Sequence, residues 1–366
     1  MTDKGARDRS QTLLVVGPQP PPIVSGATAT VVAFLEEVDQ SGSLRTDRIN
    51  TSPREYRKKT VLLRAETLRR ALSITHQFRR KVNGCDAVLV FANNFFMFTV
   101  VPVLLLLARW HGRRFYLKPF GGDLGLYLEQ RGKLTRRYML AVLRAVDGVM
   151  VQTRQLQQTL ERLGCNSHYI PGYRTAPELE INCSKNSGLH YIFLSQIRRE
   201  KGPLILLEAL RSVARSGARD IRCDFYGPIF DEDKEEFLRQ LEMTPGAAYR
   251  GLAEIGSATS LMAKYDAFIM PTYWVGEGHP GVIIEAMQAG IPVISTRHRA
   301  IPELIAHGQN GLLVPTQDVD SLAEAIRQLS SDRELRERLG AAGYLKGKQF
   351  RADVVVSRMT KIMFPE

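Results

Sequence analysis

The chain has 366 residues, 50 Lys and Arg against 38 Asp and Glu, a formal charge of +12, and 44% hydrophobic residues. That length fits two or three domains of ordinary size, and the apolar fraction excludes a disordered chain, a collagen and a small disulfide scaffold. The charge is uneven: residues 1–172 carry 26 basic and 13 acidic side chains (+13), residues 173–366 carry 24 and 25 (−1). A basic half attracts phosphate on nucleic acid, on anionic lipid or on a substrate, and composition does not choose among them.

The elements read in chain order as alternating strands and helices. An apolar run at 13–16 ends at Gly17, a Pro-rich stretch leads to Ser25-Gly26, and residues 27–38 have helical text. Residues 87–91 read as a buried strand and 95–109 as one helix. The apolar stretch 88–107 is long enough to span a bilayer. Its Asn93, Asn94, Thr99 and Pro102 fit strand, turn and helix better. A strand at 113–118 leads into Phe120-Gly121-Gly122-Asp123, followed by helix 134–144, strand 148–151 and a helix capped by Thr153.

After a polar, aperiodic stretch at 176–188 the pattern repeats. Strands are expected at 191–194, 223–226, 267–270 and 292–295, with helices at 203–215, 282–289, 320–329 and 332–344. Alternation of this kind means parallel sheets covered on both faces, with ligands at the carboxyl ends of the strands. The expected architecture is α/β, with two Rossmann-like domains facing across a cleft. The expected domains are 1–172 and 189–345, followed by a helical C-terminal segment, 346–366.

Cys85, Cys165, Cys183 and Cys223 are widely spaced, without a zinc or redox pattern, which suits free thiols in a reducing cytosol. The first ten residues are polar and lack the apolar core of a secretory signal. Between 54 and 81 lie ten basic and two acidic residues, with apolar residues interleaved at helical intervals. Such a segment suits an anionic membrane surface; a solvated helix face is the plain alternative.

The stretch 271–294 carries the chemistry. A strand gives way to a loop with Gly276, Gly278 and Gly281, and the loop to a helix beginning near Pro280. Glycines admit a ligand close to the backbone, and a helix N-terminus offers N–H groups and a positive dipole end to a diphosphate. Glu277 precedes the helix and Glu285 lies within it; carboxylates accept from sugar hydroxyls.

The spacing Glu277-x7-Glu285, followed by Ala286-Met287-x-x-Gly290-x-Pro292-Val293, resembles the signature of the retaining GT-B glycosyltransferases of family GT4. Ser195 to Gly202, Glu303-Leu304-Ile305, Asn310 to Pro315 and the loop from Pro20 to Gly26 resemble other stretches of that family in the same order. The resemblance implies transfer of a sugar from a nucleotide diphosphate sugar with retention at the anomeric carbon, no cofactor and no metal. By the same resemblance domain 1–172 lies on the acceptor side, domain 189–345 binds the nucleotide-sugar donor, and 346–366 returns to the first domain as a helix; Glu277 and Lys201 are catalytic, with Lys201 facing the diphosphate. Glu285 holds the ribose, and Gly278, His279, Pro280, Gly281, Arg198 and Gly26 line the donor. Arg198 stands in for a family Arg replaced here by Gln196. Gly122 and Asp123 lie toward the acceptor, behind Phe120 where many members carry His; Asp123 reads equally as a helix cap.

The residues have plainer readings too: Glu285 as a structural carboxylate, Glu277 as a solvent-facing loop residue, Lys201 as a surface charge. His279 reads as a loop residue fixed by its backbone, and Tyr273 and Trp274 as sugar platforms or loop packing in equal measure. The implied acceptor is lipid-linked or a polysaccharide, met at the cytoplasmic face of a membrane in envelope or exopolysaccharide assembly. A soluble acceptor and a sugar-nucleotide epimerase are the alternatives. No nucleic-acid module is found.

Overall fold

The structure is a computed structural model that describes residues 11–21, 25–52, 65–175, 177, 189–217, 221–254 and 256–365. Of the basic segment 54–81, only the part from Ala65 onward falls among them. The chain divides into two compact units, one of residues 1–120, 124–170 and 355–366, the other of residues 121–123 and 171–354. Pro171 and Gly172, which the sequence reading places in the first domain, group with the second unit.

The first unit runs β1 (Thr12–Gly17), α1 (Gly26–Ser41), β2 (Arg45–Asn50), α2 (Ala65–Lys81), β3 (Ala87–Ala92), α3 (Asn94–Thr99) and α4 (Val101–Trp110). It continues through β4 (Arg114–Pro119), α5 (Leu124–Glu129), α6 (Lys133–Ala145), β5 (Gly148–Val151), α7 (Arg154–Arg162) and β6 (Ser167–Tyr169). Its sheet has the order β2-β1-β3-β4-β5-β6, every pair parallel. All six residues of β3 are buried, as a central strand covered on both faces requires. The helix expected at 95–109 is two helices meeting at Val100. Pro102 lacks the N–H that would reach back to Phe98, so the chain restarts a helix there rather than continuing one.

Strands β3, β4, β5 and β6 are added in one direction, so right-handed crossovers place α2, α4, α6 and α7 on the same face of the sheet. Their inner residues Phe78, Leu104, Leu143 and Leu160 share one core with Val88, Val90, Leu117 and Val149. Toward solvent these helices expose Leu68 and Leu72 on α2, Val103, Leu106 and Trp110 on α4, and Leu134 and Tyr138 on α6. Trp110 is 87% exposed.

Inside this unit Lys118 of β4 is 1% exposed and donates to the carbonyl of Ile170 at 3.2 Å. Burial pushes its ammonium down to about 7. The unfolded chain therefore binds a proton between pH 7 and the ordinary lysine range that the folded chain does not, so the fold gains stability as pH rises. Comparing the wild type with Lys118→Met isolates the effect. Between pH 6 and 9 the stability of the wild type should gain on the variant by about 2–3 kcal/mol. Parallel stability curves in thermal or denaturant unfolding would refute it.

The second unit runs β7 (Leu189–Leu194), α8 (Pro203–Arg215), β8 (Ile221–Tyr226), α9 (Asp231–Glu242), β9 (Ala247–Gly251), α10 (Ala258–Met262) and β10 (Ala267–Met270). Then come α11 (Gly281–Gln288), β11 (Val293–Thr296), α12 (Ile301–Leu304), β12 (Leu312–Val314), α13 (Val319–Ser331) and α14 (Arg333–Gly347). Its parallel sheet has the order β12-β11-β10-β7-β8-β9. From β7 the chain builds β8 and β9 on one side and then adds β10 on the other. The order therefore reverses between β7 and β10, and a crevice opens beyond their carboxyl ends.

The last helix, α15 (Ala352–Met363), begins in the second unit, and from Val355 onward its residues belong to the first. There Tyr116 Oη donates to the carbonyl of Ile362, Arg358 donates to the carbonyl of Tyr169, and Met359 is fully buried. Among the described residues no helix is long and apolar enough to cross a membrane.

Candidate functional site

In the second unit the carboxyl ends of β7 and β10 converge on one buried ion pair. Beyond β7 the chain makes a single turn, Arg199–Lys201, that ends at Gly202 with φ +82°. A Cβ at Gly202 would lie 2.2 Å from the carbonyl oxygen of Pro271, so only glycine lets this turn press against the chain leaving β10. Tyr273 N–H donates to the carbonyl of Glu200 at 2.8 Å, tying the two segments together. Lys201 Nζ then lies 3.0 and 2.8 Å from the two carboxylate oxygens of Glu277. The Thr272 hydroxyl lies 2.8 Å from Glu277 Oε2. Both charged side chains are less than 10% exposed, which removes the surface readings of Lys201 and Glu277. Burial draws the Lys201 ammonium below the ordinary lysine range, and the Glu277 carboxylate opposes that shift.

Trp274 packs the loop: its ring centroid is 4.2 Å from Lys201 Nζ, and a Cβ on Gly276 would meet the ring at 3.0 Å. Arg198 lies against the same ring at 5.5 Å, but its guanidinium makes two bonds to the Glu200 carboxylate, at 2.9 and 3.0 Å. Arg198 is therefore close to Lys201 while already engaged by a carboxylate.

Pro280 precedes α11 and supplies no capping side chain, so the first turn, beginning at Gly281, has no side-chain partner at its cap. Gly278 lies in the same loop; a Cβ on Gly122 would lie 3.0 Å from the Gly278 Cα and 2.5 Å from the Glu277 carbonyl oxygen. Gly122 N–H donates to the carbonyl of Gly276 at 3.2 Å. Asp123 follows directly and precedes α5.

His279 is fully buried, as a loop residue fixed by packing. Its Nδ1 accepts from Gly172 N–H at 3.3 Å, which leaves the proton on Nε2, 3.3 Å from Glu303 Oε2. Glu285 points from α11 to Arg174, whose Nε donates to Oε1 at 3.1 Å. Burial pushes the Glu285 carboxyl up, and the Arg174 guanidinium acts against that. Gly26 belongs to the first unit, where it opens α1 behind a capping box made by Ser25 and Thr28.

The structure thus brings Lys201, Glu277 and Arg198 into one cluster and sets Gly278, His279, Pro280, Gly281 and Glu285 along the adjoining loop and helix. Sequence reasoning missed Arg174 and Thr272. Thr272 sits two residues beyond β10, inside the stretch the motif flagged. Arg174 carries no local signal, since its partner is 111 residues away.

A parallel sheet with a paired cation and carboxylate at its switch point, beside a helix start without a side-chain cap, defines the class of open-sheet α/β proteins. Residues 181–346 match the family model described as glycosyl transferases group 1. An exopolysaccharide phosphotransferase of Streptomyces coelicolor is 41% identical over 105 residues, 28% of this chain and 11% of that protein. A GDP-mannose-dependent alpha-(1-6)-phosphatidylinositol monomannoside mannosyltransferase of Mycobacterium tuberculosis is 33% identical over 163 residues, 42% of this chain and 41% of that protein. The matched stretches thus span less than half the length of these curated relatives. Among solved structures, Alr3699/HepE of Anabaena in complex with UDP and glucose aligns over 96% of this chain and 98% of its own with a TM-score of 0.70 and 15% identity. The fold is GT-B, as expected from the sequence.

Proposed function

We propose that the protein is a retaining glycosyltransferase that moves a sugar from a nucleotide diphosphate sugar to a lipid-linked or polysaccharide acceptor. The observation that carries this reading is the Lys201–Glu277 pair at the carboxyl ends of β7 and β10, next to the uncapped start of α11. A diphosphate at that helix end would find backbone N–H groups and a nearby ammonium. Charge that grows on the departing diphosphate would be stabilised by Lys201, and Glu277 would share that cation with it. Glu285, inside the same helix, would accept from ribose hydroxyls. The exopolysaccharide and mannosyltransferase relatives support a cell-envelope or exopolysaccharide acceptor, and the UDP-bound neighbour supports a nucleotide donor. The reaction as proposed uses no metal.

The acceptor reaches the enzyme at an anionic membrane. On α2, α4 and α6 together stand ten basic residues and one acidic residue, Glu66, interleaved with the exposed Leu68, Leu72, Leu106, Trp110 and Leu134. Apolar side chains that enter an interface among basic ones match anionic lipid in both charge and depth.

One experiment tests both parts. The protein is incubated with UDP-, GDP- and ADP-sugars in the presence of EDTA, and nucleotide release is followed with and without vesicles containing phosphatidylglycerol. Release from one donor, and flotation with anionic but not zwitterionic vesicles, is expected. A Trp110→Glu/Leu106→Glu variant should float about ten-fold less well or worse. No release from any donor overturns the transfer reading; equal flotation with both lipids overturns the membrane reading and favours a soluble acceptor.

A further inference from the structure

We propose that Arg174 is a positioning residue of the donor site, holding Glu285 by one carboxylate oxygen so that the other meets the ribose hydroxyls of a nucleoside diphosphate. This rests on the donor-site reading above.

Residues 171–175 follow the last strand of the first unit and carry no regular structure, yet they are fixed within the second unit at several points. Gly172 N–H donates to His279, and a Cβ on Gly172 would lie 2.9 Å from the His279 Cβ. Arg174 N–H donates to the carbonyl of Phe350 at 3.0 Å, and the Arg174 carbonyl accepts from Ala352 N–H at 3.0 Å. The side chain is fixed as well. Nη1 donates to the Tyr173 carbonyl at 2.8 Å while Nε reaches Glu285.

The guanidinium lies directly over the start of α11. A Cβ on Gly281 would be 1.7 Å from Arg174 Nη2 and 2.1 Å from Cζ, so the missing side chain at 281 is what admits it. Glu285 stands on a helix whose Ile283, Ile284, Ala286 and Met287 are buried and whose other polar residue is Gln288, at its end. A carboxylate there loses hydration and needs a fixed cationic partner to remain a strong acceptor. Arg174 supplies that partner from a planar fork that also sets the direction of the carboxylate.

The test is calorimetric. The full chain is titrated with UDP, GDP and ADP, and the tightest binder is compared with its 2′-deoxy and 3′-deoxy forms in the wild type, Arg174→Gln, Arg174→Lys, Glu285→Gln and Arg174→Gln/Glu285→Gln. Thermal melts of each accompany the titrations. In the wild type the ribose form should bind about ten-fold or more tighter than the weaker deoxy form. Arg174→Gln should lose about that factor for the ribose form while the deoxy form changes little; Arg174→Lys should regain part of it. The double variant should bind no more weakly than Glu285→Gln alone, because Arg174 acts through Glu285. Retained discrimination in Arg174→Gln, or losses in the double variant that multiply those of the singles, would overturn the assignment and leave the donor site standing. A wild type that binds none of the three diphosphates would overturn the donor site and this proposal together.

Discussion

Glu285→Gln is expected to cut donor turnover by at least about 100-fold while the protein stays folded. A carboxylate that accepts from two ribose hydroxyls contributes about 1.5–3 kcal/mol per bond, so losing both is worth two to four powers of ten. The amide keeps the size of the side chain and an acceptor oxygen for Arg174, so the melting temperature should move little. Glu285→Ala separates the two roles. It leaves a guanidinium that is only 10% exposed without its carboxylate. Stripping one partner from such a pair costs about 3–5 kcal/mol, a fall of roughly 6–20 °C for a unit of this size. Nucleotide release at donor concentrations well below KM, beside a thermal melt, measures both. Turnover unchanged in Glu285→Gln would sink the donor assignment.

The second large effect is at Lys201. In Lys201→Met the Glu277 carboxylate, 6% exposed, loses the ammonium beside it and keeps the Thr272 hydroxyl. The same uncompensated charge should cost about 3–5 kcal/mol of stability. Turnover should fall by about 100- to 1,000-fold, the usual consequence of removing one group that stabilises transition-state charge. The informative variant is the double one, Lys201→Met/Glu277→Met. A buried pair replaced by apolar side chains of similar volume is often neutral for stability. The double variant should therefore melt near the wild type and still be inactive. If it regains activity along with stability, the pair is a structural tie and not part of the donor site.

Much of the architecture is legible because it is written in short-range patterns. The apolar runs that become β1, β3, β5 and β10 are found within a residue or two of their bounds, and α8 falls at Pro203–Arg215 as its periodicity predicts. The Glu277–Glu285 stretch stands out for the same reason: loop glycines, a proline and two carboxylates lie within ten residues. Strand β2, Arg45–Asn50, escapes because it lies at the sheet edge and only Ile49 is buried, so its text is polar. The break at Val100 is hidden inside an unbroken apolar run and is decided by the missing N–H of Pro102.

Most of the charge excess lies on one face of the first unit's sheet. Arithmetic along the chain locates it in the first 172 residues, but a sequence does not say which helices share a face. The strand order does, because right-handed crossovers place α2, α4 and α6 side by side and so gather their arginines with Leu106 and Trp110.

The sequence by itself determined the alternation of strand and helix, the parallel character of both sheets, and the loop and helix that carry Glu277 and Glu285. Each follows from hydrogen bonding and burial among residues a few positions apart. Only the tertiary structure decided that Lys201 faces Glu277 across 76 residues and that Arg174 faces Glu285 across 111. Those pairings depend on which strands become neighbours and on two glycines, Gly202 and Gly281, whose missing side chains let distant segments touch. Spacing along a chain does not encode that.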